Sequence, residues 1–163
     1  MRKTIVGVMG PGAGAGGEDV RAARELGALI AREGWVLLTG GRASGVMEAA
    51  SRGAREAGGL TVGILPADDA EDASEFVDLA VVTGMGQARN QINVLTSRVV
   101  FACGAGAGTA SEIALALKAR RPVILLCATA EARAFFARLG GEAVHSAGSP
   151  REAVEIARTL LRG

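Results

Sequence analysis

A run of buried-strand character that empties directly into alternating glycines constrains this chain more than any other feature. Val99-Val100-Phe101-Ala102-Cys103 is β-branched, aromatic and small apolar, Gly104, Gly106 and Gly108 follow at alternate positions, and Thr109 opens an apolar helix reaching about Arg120. The reading is strand, tight loop, helix start. Glycines at such a junction let backbone N–H groups face a ligand with no Cβ in the way, and a helix N-terminus adds roughly half a positive charge. The expected guest is an anion, a phosphate above all. The same residues also read more plainly: Thr109-Ala110-Ser111-Glu112 is a capping box, with the threonine hydroxyl on the N3 amide and the glutamate returning to the cap amide. Ser149-Pro150-Arg151-Glu152 repeats that pattern at what reads only as a helix start. Glu112 alone follows a glycine-rich loop at the end of a buried strand, which favours a functional role for it.

Similar units precede and follow. Residues 4–9 read as a buried strand running into Gly10-Pro11-Gly12-Ala13-Gly14-Ala15-Gly16-Gly17, and residues 18–32 as a helix with Val20, Ala23, Gly27 and Ile30 on one stripe. Residues 35–38 form a strand before Thr39-Gly40-Gly41, and residues 44–57 a helix with Val46, Ala50, Ala54 and Ala57 inward. A strand over 60–65 closes at Pro66, and the acidic segment 68–78 reads as a solvated surface excursion, since its carboxylates fit no calcium-loop spacing. A strand over 79–82, Gly84-Met85-Gly86 and a helix over 87–97 precede the central unit; strands over 122–127 and 143–145 and helices over 131–139 and 150–161 come after it.

Strands alternating with helices, the strands apolar almost throughout, imply a parallel sheet covered on both faces, and the 163 residues suit one α/β domain over 1–163 with three α/β/α layers. Ligands of such sheets bind beyond the carboxyl ends of the strands. That brings the loops after Met9, Leu38 and Cys103 and the 83–89 stretch around one crevice.

A net charge of +1 with interspersed signs, and aromatics at only 3%, argue against nucleic-acid and membrane partners. No stretch is long enough to span a bilayer, and Arg2-Lys3 runs into the first strand without a cleavage pattern, so the cytoplasm is the expected location. Cys103 and Cys127 read as small buried apolar groups, and a single histidine, His145, reads as a structural or edge residue, so no metal site is expected.

Several chemistries fall away at the loops. Gly10-x-Gly12-x-x-Ala15 meets the loose dinucleotide fingerprint, but the second strand ends in Thr39-Gly40-Gly41 with no acidic residue for a ribose hydroxyl. Neither lysine stands in a P-loop context, and neither Ser44 nor Ser111 sits in a nucleophile elbow. What remains is the Glu112 carboxylate and Arg89, with Asn90 and Asn93 on the same helical face.

Taken together, Thr39-Gly40-Gly41-Arg42-Ala43-Ser44-Gly45-Val46-Met47-Glu48, Val62-Gly63-Ile64-Leu65-Pro66, Thr83-Gly84-Met85-Gly86-Gln87-Ala88-Arg89-Asn90 and Gly106-x-Gly108-Thr109-x-x-Glu112 resemble the Rossmann-type superfamily of the "Lonely guy" phosphoribohydrolases. The similarity is strongest to its molybdenum cofactor carrier protein branch, the group often labelled lysine decarboxylase-like. It covers nearly the whole chain. The resemblance implies a Rossmann-like fold with phosphate at Gly104, Gly106, Gly108 and Thr109. Gly10, Gly12, Gly40, Gly41, Gly45, Met85, Arg89 and Asn90 complete the expected ligand site, and Glu112 and Arg89 are the catalytic pair if the chain is an enzyme. Cys103-Gly104-Ala105 stands where the hydrolases carry Pro-Gly-Gly, and Gln87-Ala88-Arg89-Asn90 where they carry a Glu-Arg-Lys type sequence. These departures bear on hydrolysis more than on the phosphate cradle.

Two functions follow. One is a carrier for a phosphate-bearing pterin or nucleotide-like molecule, with molybdenum cofactor as the cargo the resemblance implies. The other is a phosphoribohydrolase cleaving the N-glycosidic bond of nucleoside 5′-monophosphates, in which Glu112 stabilises an oxocarbenium-like sugar and directs water. The 109–120 helix, with Ile113 to Leu117 contiguous and apolar, further predicts a homodimer or homotetramer that covers it.

Overall fold

The computed structural model describes residues 2–163. Seven strands form one sheet in the order β4-β3-β2-β1-β5-β6-β7, comprising β1 (Ile5–Met9), β2 (Val36–Thr39), β3 (Thr61–Leu65), β4 (Leu79–Val82), β5 (Val100–Cys103), β6 (Val123–Leu126) and β7 (Val144–Ser146). Every pairing is parallel. The three-layer, Rossmann-like α/β architecture expected from strand–helix alternation is the one formed. Strands β1, β2, β5 and β6 are buried almost end to end, as a sheet covered on both faces requires.

On one face α1 (Gly17–Arg32), α2 (Gly45–Glu56) and α6 (Pro150–Arg162) bury Leu26, Ile30, Val46, Ala50 and Val154 against Val6, Val8 and Phe101. On the other, α3 (Asn90–Thr96), α4 (Ala107–Lys118) and α5 (Ala130–Gly140) bury Val94, Ile113, Ala116 and Phe136 against Met9, Val100 and Leu125. The chain walks outward from β1 to β4, then returns to pair β5 beside β1, with Gly7 opposite Val100 and Met9 opposite Ala102. That reversal leaves the loops after β1 and β5 side by side at the carboxyl edge, where α/β sheets hold their ligands.

Several boundaries differ from the sequence reading, each for a local reason. Helix α4 starts at Ala107, two residues before Thr109, because Gly106 takes the extended cap conformation (φ −173°, ψ 166°) and its carbonyl accepts from Ala110 N. Thr109 is therefore the third helical residue, and the Thr109–Glu112 capping box does not form. At the comparison site the cap half forms: Ser149 Oγ accepts from Glu152 N at 3.2 Å, with Pro150 at the first helical position, while the Glu152 carboxylate accepts from Gly148 N rather than from the cap amide. The helix expected over 87–97 is split into a 3-10 turn (Gly86–Arg89) and α3. In α1 the inward stripe is Ala23, Leu26, Gly27 and Ile30, while Val20 turns outward. Cys103 is buried at the end of β5, but Cys127 is only half-buried; both are free thiols.

The acidic excursion is more than a solvated loop. Its tip is exposed, yet residues 72–74 fold back on the β2–α2 connection: Ala43 N donates to Asp72 O and Ser74 N to Gly41 O, both at 2.9 Å, and Arg42 bridges Ala73 in antiparallel sense. Its exit is tied to β3, where Thr61 Oγ1 donates to Phe76 O at 2.7 Å.

Helices α1 and α2 approach so closely that only glycine fits at two positions. A Cβ on Gly27 would lie 2.1 Å from Ala50 O, and one on Gly53 1.9 Å from Arg24 O. Gly27→Ala and Gly53→Ala are each expected to lower the unfolding free energy by about 2 kcal/mol or more, since the helices must separate to admit the methyl group. Gly14→Ala, whose Cβ would meet nothing within 4 Å, serves as the neutral control in the same denaturant titrations.

Candidate functional site

The crevice between the β1 and β5 loops is a cleft of about 280 Å³. Its floor is the end of β1 (Val8, Met9), its walls are Gly10-Pro11-Gly12, Gly40 with Met47, and Gly106 to Thr109 at the start of α4, and Arg89, Asn90 and Glu112 supply its polar groups.

The glycines along this wall do two different jobs. Gly10 is required by the fold, because its Cβ would stand 2.4 Å from Cys103 O and 2.6 Å from a Val46 methyl. Gly40 is similarly squeezed by Met47 Sδ and the Arg89 guanidinium. Gly106 and Gly108 are different. A Cβ on Gly106 would make only ordinary contacts near 3.8 Å with Pro11, one on Gly108 would meet nothing within 4 Å, and neither residue has a positive φ. Packing does not demand glycine there, so what the missing side chains accomplish is to leave the α4 N-terminus and its free N–H groups bare toward the cleft. Thr109 adds a hydroxyl from the same turn: the residue is 2% exposed and its Oγ1 has no hydrogen-bond partner among the described residues.

Arg89 is buried beneath the opposite wall. Its Nε donates to Ile64 O at 2.8 Å, Nη1 to Asn90 Oδ1, and Nη2 reaches Gly40 O at 3.5 Å. Placing Arg89 in the 3-10 turn rather than in α3 aims its side chain under β2 and β3. Burial pushes the guanidinium below the usual arginine range; Glu112 opposes that shift and Arg42 adds to it. Asn90 Nδ2 lies 3.4 Å from Ser111 Oγ, while Asn93, fully buried on α3, donates Nδ2 to Glu112 Oε1 at 3.0 Å and leaves its Oδ1 without a partner. Burial drives the Glu112 carboxyl above its ordinary value, and the Asn93 hydrogen bond and the Arg89 charge only partly counter this.

Of the residues expected at the site, Gly10, Gly12, Gly40, Arg89, Asn90, Gly106, Gly108, Thr109 and Glu112 do line the cleft. Gly41, Gly45, Gly104 and Met85 do not. Gly41 packs on Gly63, and Gly45 against the Pro11 and Gly12 carbonyls. Gly104 (φ +82°) turns the chain beneath the loop against Asp19, and Met85 is half exposed outside. Met47 lines the cleft although the sequence reading left it out, whereas Asn93, expected on one helical face with Arg89 and Asn90, does not line the cleft and instead holds Glu112. His145 lies in edge strand β7 and is not part of the cleft. Among the described residues no group of three or more His, Cys, Asp or Glu is placed to hold a metal ion, and no helix is long and apolar enough to cross a membrane.

The Glu112 environment has a pH signature. A carboxyl whose folded pKa is raised keeps its proton longer in the folded state, so its contribution to stability is complete below the ordinary value of 4.5 and fades as pH rises through the folded value. Glu112→Gln keeps an acceptor for Asn93 and removes the buried charge. Its melting temperature is expected to gain on the parent as pH rises above the ordinary carboxyl value of 4.5, until the folded-state Glu112 is ionised; a difference that does not change with pH would contradict the buried-carboxyl account.

The molybdenum cofactor binding protein from Rippkaea orientalis superposes with a TM-score of 0.97 at 55% identity, covering 99% of both chains. The molybdenum cofactor carrier protein from Chlamydomonas reinhardtii superposes at 0.93 and 49%, again over 99% of both. The cytokinin riboside 5′-monophosphate phosphoribohydrolase of Mycobacterium tuberculosis is 36% identical over 98 residues, which make up 59% of this chain and 52% of that enzyme. The model of the SLOG cluster4 family matches residues 3–154, and the chain belongs to that family.

Proposed function

We propose that this chain binds and carries a phosphate-bearing pterin or nucleotide-like molecule in the β1–β5 cleft, with molybdenum cofactor as its cargo. The observation that carries the reading is Thr109: a buried hydroxyl without a partner, on the first turn of α4, beside two glycines that packing does not require. A phosphate there accepts from the hydroxyl and from the free amides of the helix start, and the helix dipole favours its charge. Gly12 and Gly40 flank the ligand, and Arg89 and Asn90 offer donors from the far wall. The molybdenum cofactor binding and carrier proteins, alike over 99% of their length, support the identity of the cargo.

The hydrolase reading keeps one observation in its favour, the Glu112 carboxyl lining the cleft with the Arg89 charge acting on it. In that case Glu112 directs a water onto the sugar and Arg89 positions it. A base that activates water must be ionised. Burial of Glu112 works against that, so the carrier reading is preferred.

Thr109→Val separates site from scaffold. Removing an unpaired buried hydroxyl leaves stability unchanged or raises it, whereas affinity for inorganic phosphate or AMP, read by calorimetry, falls about tenfold; unchanged affinity overturns the phosphate site. No free base is expected from a panel of nucleoside 5′-monophosphates, and protein purified from cells that make molybdenum cofactor retains a phosphorylated pterin. Base release that disappears in both Glu112→Gln and Arg89→Ala establishes the hydrolase instead.

The outward face of α4 supports an assembly. Ala110 and Ala114 are exposed and Leu115 and Leu117 half-buried, with Leu95 47% and Leu139 60% exposed. We place a second copy on this face in a homodimer or homotetramer of cytoplasmic carriers. Sedimentation as a monomer at micromolar concentration would refute that assignment.

A further inference from the structure

The cleft does not end at Arg89 and Asn90. Beyond them, and sharing Ala107 and Gly108 with it, opens an outer lobe of about 390 Å³ lined by Arg42, Pro66, Gly86, Gln87 and Ser111. No carboxylate lines this lobe.

Arg42 supplies an exposed charge to this lobe. Arg89, which also lines it, donates to the Ile64 and Gly40 carbonyls. Among the described residues, no ion pair or side-chain hydrogen bond involves the Arg42 guanidinium. This holds although the strand-like bridge sets its backbone against Ala73, in a segment carrying Asp69, Glu71, Asp72 and Glu75. Its backbone is nonetheless firmly held. The bonds from Ala43 to Asp72 and from Ser74 to Gly41 clamp both neighbours of Arg42. A charge on a pinned backbone, engaged by no carboxylate among the described residues and lining a lobe with no acid, is available to an anion from outside the chain.

We propose that the outer lobe is a second anion subsite with Arg42 as its cation, so that the ligand carries two separated anionic groups, a phosphate at Thr109 and another at Arg42. The acidic excursion then has a purpose: its backbone, not its carboxylates, fixes that cation at the rim. Gln87 and Ser111 contribute neutral hydrogen bonds to the same group. This inference rests on the phosphate reading of the inner cleft and adds a requirement to it, because a singly phosphorylated molecule leaves Arg42 unused.

The test compares inorganic phosphate, AMP and adenosine 3′,5′-bisphosphate as calorimetric probes of the full chain and of Arg42→Gln, with Arg42→Lys as the conservative variant. The parent is expected to bind the bisphosphate about tenfold more tightly than AMP. Arg42→Gln should erase that advantage while binding phosphate and AMP as the parent does, and Arg42→Lys should restore part of it. An advantage that survives in Arg42→Gln, or a parent that binds AMP and the bisphosphate equally, overturns the second subsite and leaves the inner one standing. A parent that binds none of the three overturns the phosphate reading itself, and the subsite with it. Equal melting temperatures of parent and variant establish that the comparison is between folded proteins.

Discussion

The parallel pairing of β5 beside β1 is the constraint on which the rest depends. It places Gly7 against Val100 and Met9 against Ala102, and it reverses the direction in which the chain builds its sheet. Only at such a reversal do two successive strand-to-helix loops diverge to opposite faces and leave a crevice between them. The closeness is extreme: Gly10 lies so near the Cys103 carbonyl that one methyl group would collide with it. Shifting β5 by one residue would invert its inward and outward faces and carry the α4 N-terminus away from β1.

Around that crevice the fold buries polar groups that a core would normally reject. Arg89, Asn90, Asn93 and Glu112 are each nine-tenths buried or more. Desolvation of such groups is offset where hydrogen bonds replace water: Arg89 by the Ile64 and Gly40 carbonyls and Glu112 by Asn93. The compensation is incomplete at Thr109 Oγ1 and Asn93 Oδ1. Departures of this kind from full satisfaction concentrate where a protein does its work, and here one lines the cleft and the other belongs to the residue that holds Glu112.

Most of the architecture was legible in the sequence because buried parallel strands leave near-continuous apolar runs, and residues 99–103 and 122–127 carry that mark without ambiguity. The crevice was legible for a related reason, since glycines cluster where those runs end. Long-range contacts decided what was not. Nothing local says that Gly106, extended and immediately before α4, will cap it in place of Thr109, although Thr109-Ala110-Ser111-Glu112 satisfies the local rule; Ser149, by contrast, does cap its helix. Met85 is expected in the cleft from the resemblance, yet it stands half exposed at the start of the 3-10 turn while Arg89 at the turn's end is buried. Asn93 and Arg42 acquire their roles through Glu112 and Ala73, residues 19 and 31 positions away in the chain, beyond the reach of any helical or strand period.

The same geometry bears on why one scaffold can serve both a carrier and a glycosidase. Both would need an anion held at a helix start, and α4 begins with Ala107 and Gly108 in the lining of the cleft. They differ in what the carboxyl must do. A hydrolase needs Glu112 ionised and in reach of water, whereas a carrier gains from a carboxyl that keeps its proton and donates it as a hydrogen bond to a ring nitrogen or carbonyl. In this chain burial holds the Glu112 carboxyl above its ordinary value, while the Asn93 hydrogen bond and the Arg89 charge pull the other way. Burial, the largest of these effects, favours the protonated, hydrogen-bonding form. What a carboxyl at this place in the cleft can do therefore turns on its surroundings: burial that favours the proton favours hydrogen bonding to a ligand over base catalysis.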